Sequence, residues 1–128
     1  MATAQSSSDA RRRKAAEVLA GMGRSLHDAK VLSVQCASGH HVAAVYRTPD
    51  GEVIRAATGR RSHGNRDRID TPHGSRPARA PWSDFLDAGP HAGAVPAWCD
   101  CGAWTLSRAD LTAWLDAGEH RVVLESKA

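Results

Sequence analysis

Three cysteines and a neighbouring histidine fall in two short turn-like clusters, Cys36-Ala-Ser-Gly-His40 and Cys99-Asp-Cys101-Gly102. Thiolate sulfur and imidazole nitrogen are the donors that Zn2+ favours in tetrahedral sites, with sulfur at about 2.3 Å and nitrogen at about 2.0 Å. Two short turns that each supply two ligands bring four donors to one point. The glycine in each cluster lets backbone amides approach the thiolates. Cys36, His40, Cys99 and Cys101 therefore read as one Cys3His site. The spacings, Cys-x3-His and Cys-x-Cys, depart from the commoner CxxC pairs. His41 competes with His40 for the fourth position, and Asp100 or a more distant histidine is a further alternative. The plainer reading is three free buried thiols, since cysteine packs as a small hydrophobe. A site closed by four protein ligands leaves no position for water or substrate, and three thiolates reduce the Lewis acidity of the ion. A structural Zn2+ is expected, not a catalytic one.

No catalytic motif accompanies the cluster. The chain contains no G-x-S-x-G, no Walker A sequence and no H-E-x-x-H. His63-Gly-Asn65 resembles one half of a nuclease-type His/Asn pair, but the flanking ββα context is missing. Cys36 with His40 fits a nucleophile and its base on paper. Two further cysteines make shared metal ligation the simpler explanation of the same residues.

The elements that must position these ligands are partly readable. Residues 1–8 are small and polar and read as a disordered tail. Asp9 caps an expected helix over 9–26, with Ala15, Val18, Leu19, Met22 and Leu26 at helical spacing. Val31–Cys36 and Val42–Arg47 read as strands flanking the first ligand turn. Thr48-Pro-Asp-Gly51 is a turn that returns the chain as a third strand over 52–58. Residues 59–81 are rich in Gly, Arg, Ser, His and Pro, with Ile69 the one large aliphatic, so a mobile Arg-rich loop is expected. Trp82–Leu86 reads as a short helical turn and Gly89–Pro96 as irregular. Trp104–Leu106 reads as a strand leaving the second cluster. Ser107 to Asp110 starts a helix over 108–117 that ends at Gly118, and Arg121–Leu124 closes the chain as a strand.

Composition limits the rest. The chain has 128 residues, which suits one domain, and only one Phe and one Tyr, so its core is short of bulk and a metal cross-link would help it. The formal charge is +3, but the distribution is uneven: residues 55–79 hold seven Arg against two Asp, whereas 81–128 hold three basic residues against seven acids. Arg55, Arg60, Arg61, Arg66, Arg68, Arg76 and Arg79 are the candidate nucleic-acid contacts, because arginine neutralises phosphates and stacks on bases. The alternative is a solvated charge run, which also covers Arg11-Arg-Arg-Lys14. Trp98 and Trp104 flank the second cluster and are expected to shield it, Trp114 is expected in the core, and Trp82 is a possible partner anchor. No stretch approaches the roughly 18 apolar residues of a membrane span, and the N-terminus lacks an apolar core after its basic run, so a cytoplasmic chain with reduced thiols is expected.

Cys36-x-x-Gly-His40, the hairpin Val42-Ala-Ala-Val-Tyr46-Arg-Thr-Pro-Asp-Gly51 and Trp98-Cys-x-Cys101-Gly together resemble small zinc-ribbon-like proteins of actinobacteria and their phages. The resemblance spans 31–58 and 97–125. It implies a structural zinc and a role in binding, and zinc ribbons commonly serve in transcription or translation assemblies. The expected fold is α+β. A small antiparallel, zinc-ribbon-like domain over 31–125, with its sheet from 31–58 and 104–125, carries an N-terminal helix and a C-terminal helix–strand pair. The expected function is a non-enzymatic binding module that contacts nucleic acid or a nucleic-acid-associated protein through its basic loop. A protein–protein adaptor using the N-terminal helix and Trp82, or a metal-dependent hydrolase, are the alternatives.

Overall fold

The structure is a computed structural model, and it describes residues 3–57, 68–71, 74–77, 81–89, 92–99 and 101–125. Helix α1 (Thr3–Gly21) opens the chain. A 3-10 turn (Gly23–Ser25) and a single helical turn, α2 (Leu26–Ala29), lead to strands β1 (Lys30–Cys36), β2 (His41–Thr48) and β3 (Gly51–Ala56). Then come β4 (Arg68–Thr71), β5 (Gly74–Pro77), β6 (Trp82–Phe85), β7 (Val95–Cys99), β8 (Gly102–Leu106), helix α3 (Arg108–Asp116) and β9 (Arg121–Leu124). Five strands form the main sheet in the order β6-β3-β2-β1-β9, while β4-β5 and β7-β8 form separate two-stranded ladders. The α+β class, the N-terminal helix and the C-terminal helix followed by a strand all match the sequence reading.

The sheet has two different faces. On one, Ala15 and Leu19 of α1 are buried against Ala44, Tyr46 and Val53. Their four-residue spacing places both on one side of the helix. On the other, Leu32, Val34, Val42, Val45 and Ile54 of the sheet meet Val95, Ala97 and Leu106 of the β7-β8 hairpin and Leu111 of α3. The core is larger than the scarcity of aromatic residues suggested. Small residues such as Ala43, Ala56 and Ala97 let backbones approach, and Cys36 and Cys99 are buried with them. Trp114 packs against this cluster, as its helical spacing required.

Local chemistry explains the boundaries. Thr48 Oγ1 accepts from the Asp50 amide (3.1 Å) and donates to the Gly51 carbonyl (2.8 Å), closing the β2-β3 turn with its own side chain. The Ser107 hydroxyl accepts from the Asp110 amide at 3.2 Å and caps α3. That helix ends in a Schellman pair, Gly118 N–H to Leu115 O and Glu119 N–H to Trp114 O, both 3.0 Å.

Several expectations are corrected. The sheet is mixed, not wholly antiparallel: β9 runs parallel to β1, pairing Ser33 with Arg121 through Cys36 with Leu124. Helix α3 is the crossover that returns the chain in that direction. Residues 104–106 belong to the β7-β8 hairpin and not to the main sheet. Trp82–Phe85 is a strand and not a helical turn, because its residues alternate between the two layers. Phe85 packs with the α1 cluster and Trp82 with the other. Val95–Cys99, expected to be irregular as far as Pro96, is a strand in which Val95, Ala97 and Cys99 are buried. Helix α1 begins before Asp9; its end at Gly21 is where the glycines at 21 and 23 weaken the last turn of the expected span, and the 3-10 turn and α2 divide the rest. Within the Arg-rich segment, Arg68–Thr71 pairs with Gly74–Pro77 as an antiparallel ladder; the remainder of 58–80 lies outside the described residues. No described helix is long and apolar enough to cross a membrane.

An ion cluster ties the layers together, and no sequence signal singled it out. Asp84 on β6 is buried, and Arg11 of α1 grips it with Nε at 2.7 Å from Oδ1 and Nη2 at 2.8 Å from Oδ2. Arg108 of α3 donates to Oδ2 at 2.8 Å and also to the carbonyls of Phe85, Leu86 and Gly93. Burial pushes the Asp84 carboxyl up, but the Arg11 and Arg108 hydrogen bonds and the Phe85 amide outweigh it and hold the group below its ordinary range. The Arg11–Lys14 run is therefore not simply a solvated face. Arg11 is spent on Asp84, and the Arg12 guanidinium lies 5.0 Å from the Trp82 ring centre, with Arg108 at 5.9 Å.

Candidate metal centre

Strand β1 ends at Cys36 and β2 begins at His41, so the first ligand turn is the link of a β-hairpin. The Cys36 carbonyl accepts from Gly39 N–H (2.9 Å), and Cys36 N–H donates to the His40 carbonyl (3.0 Å). Gly39 sits at φ +86°, a conformation that a residue with a Cβ rarely adopts. A bulge precedes the turn: Val34 pairs with Ala43 but Gln35 with His41, leaving Val42 as an extra residue on β2. The second ligand turn is the tip of the β7-β8 hairpin, where Cys99 pairs with Gly102, which sits at φ +130°.

Hairpin packing on the sheet brings the two tips together. One ligand atom from each of Cys36, His40, Cys99 and Cys101 lies within 4.8 Å of the other three. Bond lengths of about 2.3 Å to sulfur and about 2.0 Å to nitrogen in a regular tetrahedron require edges of about 3.8 Å between sulfurs and about 3.5 Å from sulfur to nitrogen. Cys36 Sγ and Cys101 Sγ are 3.9 Å apart, and His40 Nδ1 lies 3.3 Å from Cys36 Sγ and 3.5 Å from Cys101 Sγ. These three distances match edges of such a tetrahedron, so the four residues are positioned to hold a metal ion. The sulfur–sulfur distance is far longer than the roughly 2.05 Å of a disulfide, and all three cysteines are free thiols.

Hydrogen-bond donors face the sulfurs. The Trp104 indole N–H donates to Cys99 Sγ at 3.2 Å, and the Cys101 amide donates to the same sulfur at 3.4 Å. Burial pushes the Cys36 thiol up, but the backbone amides of His40 and Ser38 and the neighbouring thiols of Cys101 and Cys99 bring it down to about 7. At Cys101 the Ser38 hydroxyl acts downward, while desolvation and the adjacent Cys36 and Cys99 act upward and prevail, so its thiol is raised. Two thiols this close lose their protons in sequence: once Cys36 is charged, a second thiolate beside it is disfavoured without a cation. Cys36 and Cys99 are buried, His40 is half-buried and Cys101 is exposed, so the site lies at the rim of the core.

Each expected residue can now be placed. The four ligands named from sequence meet, and His40, not His41, joins the cysteines. His41 lines a separate hollow beside Tyr46 and Arg55. Asp100 lies outside the described residues. Trp104 contacts the site as expected, but Trp98 turns outward with 40% of its surface exposed, since alternate residues of β7 face opposite ways. Arg55 lies on β3, within the third strand expected over 52–58; its Nη2 donates to Tyr46 Oη at 3.0 Å. Arg68 and Arg76 lie on β4 and β5, and Arg60, Arg61, Arg66 and Arg79 lie outside the described residues. Trp82 is half-buried between two guanidinium groups and is not a free anchor. Comparison with protein-family models, curated proteins and solved structures finds no match for this chain.

Proposed function

We propose that this chain is a zinc-stabilised binding module of zinc-ribbon type, in which one structural Zn2+ is held by Cys36, His40, Cys99 and Cys101. The observation that carries the reading is the convergence of these four donors, from two separate hairpin tips, within 4.8 Å of one another, with Cys36, His40 and Cys101 at tetrahedral edge lengths. Thiolate-rich tetrahedral sites select Zn2+ or iron over hard cations, and four protein ligands leave the ion no open position for substrate. The ion fixes the β7-β8 hairpin and α3 against the sheet. The module contacts nucleic acid, or an assembly built on it, through the basic segment 55–79. Support for that step is the net positive charge of the segment, seven Arg against two Asp. Metal analysis of the purified chain tests the zinc assignment, with one equivalent expected and loss in Cys99→Ser. Oligonucleotide affinity at two salt concentrations tests the second: binding that weakens steeply with salt is expected, and no binding at low salt refutes it.

A further inference from the structure

The metal centre has one corner open to solvent. Cys36 and Cys99 are 2% and 0% exposed, whereas Cys101 is an exposed thiol. A clamp whose only task is to hold two hairpins needs no open corner, and a sulfur that meets solvent is the one oxidants reach first. Cys101 also has a second thiol in place. Its Sγ lies 3.9 Å from Cys36 Sγ, so the pair must close by about 1.9 Å to reach the length of a disulfide. Cys101 sits at the tip of the β7-β8 hairpin beside Gly102, where the backbone yields most readily. Cys99 is held differently: its buried sulfur accepts from the Trp104 indole and from the Cys101 amide. Cys36 belongs to the turn between β1 and β2 and Cys101 to the turn between β7 and β8. A bond between them therefore joins the same two tips that the four ligands join.

We propose that Cys101 and Cys36 are a peroxide-reactive pair that exchanges the metal clamp for a covalent one. The proposal rests on the zinc reading above and adds a chemistry to that site. The Cys101 thiolate attacks one oxygen of hydrogen peroxide. The O–O bond breaks, hydroxide leaves and takes a proton to become water, and Cys101 becomes a sulfenic acid. The Cys36 thiolate then attacks the Cys101 sulfur: the S–S bond forms, the S–O bond breaks, and a second hydroxide leaves and is protonated to water. The two sulfurs lose two electrons and the two peroxide oxygens gain them. Two of the four donors are consumed, and Cys99 with His40 make only half of a tetrahedral set, so the ion departs. A dithiol reductant cleaves the bond and restores all four donors. The tips stay joined throughout. The two cysteines are 65 positions apart, and closing so long a loop constrains the unfolded chain, so the oxidised chain is metal-free and folded.

The test uses the zinc-loaded full chain, purified under reductant, freed of it and titrated with hydrogen peroxide. Zinc release is read with a chelating dye, the disulfide by peptide mapping of the alkylated protein, and folding by thermal unfolding. The expected result is one Cys36–Cys101 disulfide for each zinc released, with Cys99 alkylated as a free thiol and zinc binding regained after dithiothreitol. The Tm of the oxidised, metal-free chain should lie above that of the reduced chain stripped by a chelator. In Cys36→Ser the sulfenic acid has no thiol to resolve it, so it stays on Cys101 and is trapped by dimedone; the wild-type map decides the question even if this variant does not fold. A disulfide that includes Cys99, or thiols that stay reduced and zinc that stays bound at a molar excess of peroxide, overturns the proposal and leaves the zinc assignment standing. A chain that holds no zinc under reductant overturns the zinc assignment and the exchange with it.

Discussion

Asp84→Asn removes the one charge on which α1, β6 and α3 converge. The Asp84 side chain is 1% exposed, against 15% for Arg108 and 27% for Arg11. Removing one partner of a buried ion pair costs about 3–5 kcal/mol, because the other charge is left buried. Both arginines retain some access to water and Arg108 keeps three carbonyls, so the expected loss is about 2–4 kcal/mol. At about 4 °C per kcal/mol for a chain of this size, Tm should fall by roughly 8–16 °C. Urea unfolding of zinc-loaded wild type and variant, with an unchanged m-value, is the assay. Arg11→Gln combined with Asp84→Asn should show a coupling of about 1–3 kcal/mol. The pH dependence has a definite sign. The Asp84 pKa is lowered in the folded chain, so its contribution is complete above the ordinary carboxylate pKa near 4 and is lost as pH falls through the lower folded value. The gap between wild type and Asp84→Asn should therefore be constant from pH 5 to 7 and close in acid. A loss below about 0.5 kcal/mol at pH 7, or a gap that widens in acid, refutes this reasoning.

Further outcomes follow from the metal centre and the caps. Trp104→Phe removes the indole donor to Cys99 Sγ and should weaken zinc affinity by about 10–100-fold in a chelator competition, lowering the stability of the zinc-loaded chain by about 1.4–2.7 kcal/mol. Zinc binding displaces thiol protons, so affinity should rise with pH and fall steeply below the Cys36 value of about 7; a pH-independent affinity between 6 and 8 contradicts thiolate ligation. Ser107→Ala should cost about 1 kcal/mol through loss of the α3 cap, measured by urea unfolding. Chelation should raise amide exchange at 36–40 and 95–106 while β2-β3 stays protected, because Ala44, Tyr46 and Val53 keep their core with α1.

The ligand set was legible because chemistry concentrates it: Cys36, His40, Cys99 and Cys101 are the only thiols of the chain and the first histidine after one of them. The Thr48–Gly51 turn and the Ser107 cap were legible for a similar reason, since each is specified by a few adjacent residues. His40 was already the preferred histidine in the sequence, and the hairpin turn places it with the thiols while His41 opens β2 beside a separate hollow. The parallel placement of β9 depends on how α3 crosses the layer, which local pattern does not encode. Trp82–Phe85 misled because Ser83 and Asp84 look polar in a string of four; burial of Asp84 becomes favourable only once Arg11, distant in sequence, closes on it. Arg11 and Arg12 were hidden inside a run of like charges, which reads as solvated until tertiary partners are known.

The most direct measurement is X-ray absorption at the zinc edge on the purified chain, with metal content by mass spectrometry. The expected result is one zinc per chain with three sulfurs near 2.3 Å and one imidazole nitrogen near 2.0 Å, reduced to two sulfurs or to no metal in Cys101→Ser. A chain that purifies without metal and unfolds at the same temperature with or without added zinc contradicts it.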